Sequence, residues 1–138
     1  MSLPRPEPGL VIRYAYLRHR ERAAGADDAR KDRPCVVVVA LADGRVGVIP
    51  VTHSAPADGT TAVALAPATC RQLGLDDRPS RAVVDDINHF RWPGPDLRPA
   101  SGATWTFGRL TPGELAPIVR ALRTAIVERR MKQSIRTE

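Results

Sequence analysis

An unbroken apolar run, Pro34-Cys35-Val36-Val37-Val38-Val39-Ala40-Leu41, is followed at once by Ala42-Asp43-Gly44-Arg45 and then by a second apolar segment, Val46 to Thr52. Consecutive β-branched residues are stiff at χ1 and suit a pleated strand better than a helix. A run that is apolar on every residue reads as a central strand covered on both faces. Asp-Gly between two such runs is a hairpin signal, because the tight turn needs positive φ at its centre. The chain is therefore expected to be built around a buried antiparallel hairpin, and so around an antiparallel sheet.

The rest of the chain supplies short partners for that hairpin. Residues 1–8 hold three prolines and read as an extended arm. Leu10 to Tyr16 is rich in β-branched and aromatic residues and reads as a strand. Residues 17–32 are polar, without a sustained apolar period, and read as a long loop. Thr61 to Leu65 and Arg81 to Ile87 read as further strands, and Thr104 to Leu110 as the last. Pro67 and Gly74 bracket a short helix. Thr111-Pro112-Gly113-Glu114 is a capping box that opens a C-terminal helix with Leu115, Ile118, Val119, Leu122 and Ile126 on one face. Pro117 falls early inside it and removes one backbone bond. The polar tail, residues 128–138, is expected to fray. With five to six short strands and two helices in 138 residues, a small curled barrel forming a single domain is the expected solution.

Composition narrows the class. Hydrophobic residues make up 43% of the chain, enough for a core without disulfides and against intrinsic disorder. The longest apolar run is too short to span a bilayer, and the N-terminus has no apolar stretch of the signal-peptide kind. Cys35 and Cys70 stand alone and read as buried reduced thiols of a cytoplasmic protein. The formal charge is +6, and of the 21 basic residues only Lys31 and Lys132 are lysine. That balance points to an anionic partner. GC-rich coding is a sufficient explanation for most of the arginines.

Several kinds of chemistry find no motif. There is no Gly-rich phosphate loop and no GxSxG elbow. His19, His53 and His89 are scattered, so no metal site and no cofactor are expected. What the hairpin does bring together is Lys31-Asp32-Arg33-Pro34 at the start of one strand and Pro50-Val51-Thr52-His53 at the end of the other. Arg33 enters the hairpin and Thr52 leaves it, so both belong at the same sheet end. A guanidinium offers a planar fork of donors that matches two phosphate oxygens, and a hydroxyl can donate to a third. The pair suits a phosphodiester.

In these segments the sequence resembles the MazF/PemK toxins of bacterial toxin–antitoxin systems. The resemblance rests on Gly9-Leu10-Val11-Ile12, Arg33-Pro34-Cys35-Val36-Val37-Val38, Pro50-Val51-Thr52, Val83-Val84-Asp85-Asp86-Ile87-Asn88 and Gly108-Arg109-Leu110-Thr111-Pro112-Gly113-Glu114-Leu115, in register over residues 9–127. It implies an SH3-like barrel of the CcdB/PemK kind, usually a homodimer inhibited by an acidic antitoxin. The implied activity is metal-independent cleavage of single-stranded RNA by its own 2′-hydroxyl, leaving a cyclic phosphate and a 5′-hydroxyl. The family's active-site arginine and threonine carry over to Arg33 and Thr52.

Within that reading Arg33 stabilises the charge of the phosphorane-like transition state, and Thr52 holds a non-bridging oxygen. His53 is a candidate general base, although strand alternation turns it away from Thr52 unless the strand ends first. His19, Lys31, Asp86, Asn88 and Arg91 are candidate substrate-binding residues. Phe90 and Trp92 read as packing residues ahead of base-stacking ones. The segment Ala26-Asp27-Asp28-Ala29-Arg30-Lys31-Asp32 departs from the family's pattern, so no role is transferred to it from there. The alternative is a non-catalytic RNA-binding or gyrase-poison-like protein on the same fold.

Overall fold

The computed structural model describes residues 2–18, 31–53, 61–76 and 78–136. Its centre is three antiparallel strands, β1 (Leu10–Tyr16), β2 (Lys31–Ala40) and β3 (Arg45–Thr52). Val36 of β2 lies opposite Val11 of β1 on one side and Ile49 of β3 on the other. The β2–β3 connection turns at Asp43 and Gly44, where Gly44 has φ +94° and the Asp43 carboxylate accepts from the Arg45 N–H at 3.1 Å. Side chains alternate along these strands, so each feeds two apolar clusters on opposite faces of the sheet. One cluster holds Val11, Val36, Val38, Ile49 and Val51. The other holds Ile12, Tyr14, Cys35, Val37, Val46 and Val48. Burial on both faces thus explains the middle of the all-apolar run, Cys35 to Val38, while Leu41 at its end is exposed.

The flanking strands share the two free sides of this trio. The first half of β3 pairs β6 (Asp86–Arg91), and its last two residues pair β5 (Arg81–Val83). The expected single strand over 81–87 is therefore two strands. The break comes at Val84 and Asp85, whose N–H and carboxylate bind the backbone of Thr61 instead. Beyond β5 lies β4 (Ala62–Ala64). On its outer side β1 takes β8 (Thr106–Arg109) and β7 (Leu97–Arg98). The path β4-β5-β3-β2-β1-β7 has two unjoined ends, so the nine described strands make one mainly antiparallel, open sheet.

The helices begin and end where their caps dictate. In α1 (Pro67–Gln72) proline occupies the first turn, and Gly74 beyond its end has φ +71°. The capping box of α2 (Pro112–Val127) is complete: Thr111 accepts from the Glu114 N–H, and the Glu114 carboxylate accepts from the Thr111 N–H. Pro117 sits inside an otherwise continuous helix. Ile118 and Leu122 join the first cluster and Ala125 is buried, whereas Ile126 is 54% exposed. A stripe passing through 118, 122 and 125 turns the next residue outward. Among the described residues no helix is long and apolar enough to cross a membrane.

The tail does not fray as expected. Residues Lys132–Ile135 form β9, which runs parallel to β6 from Asp86↔Lys132 to His89↔Ile135. It is anchored by Arg136, buried despite its charge. The guanidinium donates to the Ala15 carbonyl at 2.9 Å, to the Asn88 carboxamide oxygen at 3.0 Å and to the Asp96 carboxylate at 2.9 Å. It also lies 5.7 Å from the Tyr14 ring centre, and Tyr14 stacks on Phe90 at 4.5 Å. Polar composition predicts solvation of this tail; a specific buried ion pair and a strand slot override it.

Candidate functional site

Cys35 of β2 is level with Pro50 of β3. Continuing that antiparallel register by two residues brings Arg33 level with Thr52. On the other side of β3, Thr52 is opposite Arg81 of β5. The sequence expectation that a guanidinium and a hydroxyl meet at one sheet end thus agrees with the observed register. Arg33 and Thr52 both line a cleft of about 570 Å³, together with Lys31 and His53. Its opposite wall is the segment between α1 and β5, contributing Leu75, Asp76, Arg78 and Ser80. Arg33 is half-buried at the start of a strand whose next residues enter the core, which fixes its backbone. The neighbouring Asp32 lies 3.6 Å from Arg13 and 3.9 Å from Arg98, cations of β1 and β7.

His53 is held at both ring nitrogens. Its Nε2 lies 3.1 Å from the Asp76 carboxylate. Its Nδ1 lies 3.2 Å from the Pro79 carbonyl oxygen and 3.3 Å from the Ser80 hydroxyl. Carboxylate and carbonyl oxygens only accept, so the imidazolium form donates to both while a neutral ring donates to one. This geometry pins the α1–β5 segment to the end of β3. Acting as a general base would require His53 to give up one of these contacts. The Asp76 carboxyl is held below the ordinary carboxylate range, first by the Arg78 backbone N–H and then by the charges of His53 and Arg78.

The remaining candidates do not gather at this cleft. Asp86 accepts from the buried Tyr16 hydroxyl at 2.7 Å and from Arg18 at 3.2 Å. Burial, reinforced by the Asp86 charge, pushes the Tyr16 phenol well above its ordinary value. Asn88 is fully buried; its carboxamide brackets the backbone of Leu17, accepting from the N–H at 3.1 Å and donating to the carbonyl at 2.9 Å. These bonds tie β6 to the end of β1. Arg91 donates to the Asp43 carbonyl at 2.7 Å, beside the hairpin turn. It pairs with Arg45, at the other end of β3 from Thr52, about 23 Å away at the usual rise per strand residue. His19 lies outside the described residues. His89 is bonded to Gln133 at 2.8 Å, and Phe90 and Trp92 pack with the second apolar cluster.

Sequence reasoning missed Asp76, Arg78 and Ser80. They sit in an ordinary post-helix turn, and only the fold of α1 against β5 carries them to Arg33 and Thr52. Among the described residues no three His, Cys, Asp or Glu side chains come together. Cys35 and Cys70 are free and buried, and burial raises the Cys35 thiol far above its ordinary value. Comparison with family models, with curated proteins and with solved structures finds no match.

Proposed function

We propose that the chain is an endoribonuclease of the MazF/PemK kind, a toxin that cuts single-stranded RNA without a metal. The observation that carries this reading is the β2–β3 register that sets Arg33 level with Thr52 in one cleft, beside Lys31. The mainly antiparallel sheet, with an apolar cluster on each face, is what supports an SH3-like barrel of the CcdB/PemK kind.

In the reaction, the RNA 2′-oxygen attacks the adjacent phosphorus and the bond to the 5′-oxygen breaks. The 2′-hydroxyl proton leaves to water or a base, and the departing 5′-oxygen takes up a proton. Products are a 2′,3′-cyclic phosphate and a 5′-hydroxyl. The Arg33 fork meets charge that grows on the non-bridging oxygens in the transition state, so it binds that state more tightly than the ground state. Thr52 donates to one such oxygen. Lys31 adds a cation at the mouth, and the net charge of +6 attracts both RNA and an acidic antitoxin. The active form in this reading is a homodimer.

The test is incubation of the pure chain with single-stranded RNA in EDTA. Cleavage falling by about 10²–10³-fold in Arg33→Ala, as for loss of a charge-stabilising donor, supports the reading; undiminished cleavage refutes it. RNA affinity should fall with salt at a log–log slope of about −0.7 per phosphate contacted. A second reading, a non-cleaving RNA-binding protein, is favoured by His53, whose two ring nitrogens are both engaged. Salt-dependent binding with no cleavage would select it.

A further inference from the structure

A second cavity, of about 300 Å³, adjoins the cleft, and Asp76 and Arg78 line both. Half-buried Leu65 and buried Cys70 give it an apolar floor, and exposed Arg71, from the last turn of α1, stands at its rim. We infer that this cavity is a nucleobase subsite that favours a base presenting N–H donors on its pairing edge, guanine above all. The inference rests on reading the adjoining cleft as an RNA site.

Three features argue for it. A base and its phosphate are covalently joined, so a phosphodiester at Arg33 and Thr52 places a neighbouring base within reach of whatever shares the cleft's wall. The volume is at the small end for ligand clefts, about 300–1,000 Å³, which suits one ring system and not a longer chain. The lining supplies what a base needs on each surface. Apolar side chains meet its faces, and the guanidiniums of Arg71 and Arg78 can lie flat against it. A chain with 4% aromatic residues has few other stacking groups.

The choice of base follows from Asp76. An ionised carboxylate accepts at about four lone-pair positions and donates nothing. On Asp76, Oδ1 accepts from the Arg78 N–H at 3.0 Å, and Oδ2 faces His53 at 3.1 Å. The remaining contact, from the Arg78 guanidinium to Oδ2, is a long 3.5 Å between exposed groups. Exchanging that contact leaves one acceptor position on each oxygen and frees Arg78 to stack. Guanine fills both positions with its adjacent N1–H and amino donors. Adenine and cytosine bring an amino donor alone, and uracil brings one N–H flanked by carbonyls that a carboxylate repels.

The experiment uses the full chain and the four 5′-nucleoside monophosphates as probes, followed by NMR at the backbone amides of Leu65, Arg71 and Asp76. GMP should shift these amides and bind about tenfold or more tighter than UMP, the size of a good bidentate base contact. Asp76→Asn should narrow that ratio to within about twofold, and Arg71→Ala should weaken all four nucleotides while leaving the ratio in place. In parallel, single-stranded RNAs differing at one nucleotide are compared as cleavage substrates. Equal binding of all four nucleotides overturns the subsite. So does cleavage whose base preference is the same in the wild type and in Asp76→Asn, and that result leaves the nuclease reading standing. GMP-selective shifts at Leu65 and Arg71 with no RNA cleavage support the subsite and refute the nuclease reading instead.

Discussion

Replacing Arg136 by alanine tests whether the C-terminal strand is as firmly seated as its contacts imply. The Arg136 and Asp96 side chains are 5% and 6% exposed and lie 2.9 Å apart. Removing one partner of a buried ion pair leaves the other desolvated and uncompensated, at a cost of about 3–5 kcal/mol. Two features place this pair at the low end. Arg98, a more exposed cation, lies 3.9 Å from the other Asp96 oxygen and offsets part of the stranded charge. The Asn88 carboxamide oxygen keeps the Leu17 N–H when the guanidinium is gone. A loss of about 3 kcal/mol is expected. At an m-value of ~2 kcal/mol/M this lowers the urea midpoint by about 1.5 M, and lowers Tm by roughly 12 °C at about 4 °C per kcal/mol. Ile135→Ala is the control: that side chain is 76% exposed, and its loss should stay within about 0.5 kcal/mol. An Arg136→Met, Asp96→Leu double variant should recover part of what Arg136→Met loses, because it removes the stranded charge along with its partner. If Arg136→Ala unfolds within about 0.5 kcal/mol of the wild type, the anchoring argument is wrong and the tail behaves as its polar composition predicts.

Thr111→Ala removes one half of the α2 capping box and should cost about 1 kcal/mol by urea melts. The Glu114 carboxyl is held below its ordinary value, first by the Thr69 hydroxyl and then by the Thr111 N–H. Its contribution should therefore be complete above the unfolded glutamate value of about 4.3 and fade as pH falls through the lower folded value, a slope that Glu114→Gln should flatten. Gly47→Ala, in the middle of β3, would set a Cβ 2.9 Å from the Ile87 side chain and 3.4 Å from the His89 ring. It should destabilise by about 1–3 kcal/mol; a neutral effect would mean that the Ile87 δ-methyl moves aside without cost in the core. Arg33→Lys keeps the charge and loses the planar fork, so RNA cleavage should fall in it as well as in Arg33→Ala; full activity in Arg33→Lys would reduce the role of Arg33 to simple charge.

Local chemistry was readable along most of the chain. The valine run, the Asp43-Gly44 turn, the Pro67 start, the Gly74 stop and the Thr111/Glu114 cap each act within a few residues, and each appears where its own covalent chemistry puts it. That Arg33 and Thr52 reach the same sheet end was readable because a tight turn pairs its two strands antiparallel, but a register shift between Val37 and Val39 decides that Arg33 comes level with Thr52 and not with His53. Three outcomes were decided by groups distant in sequence. Whether residues 81–91 run as one strand or two depended on Thr61, whose backbone takes the Val84 N–H and the Asp85 carboxylate. Whether the polar tail frays depended on Asp96, Asn88 and Ala15, which give Arg136 a buried set of acceptors. The roles open to Asp86, Asn88 and His53 depended on which neighbours use up their hydrogen-bonding positions. A sequence reports the kind of polar group present at each position. Only the folded chain reports whether that group faces a substrate or is already consumed by the protein itself.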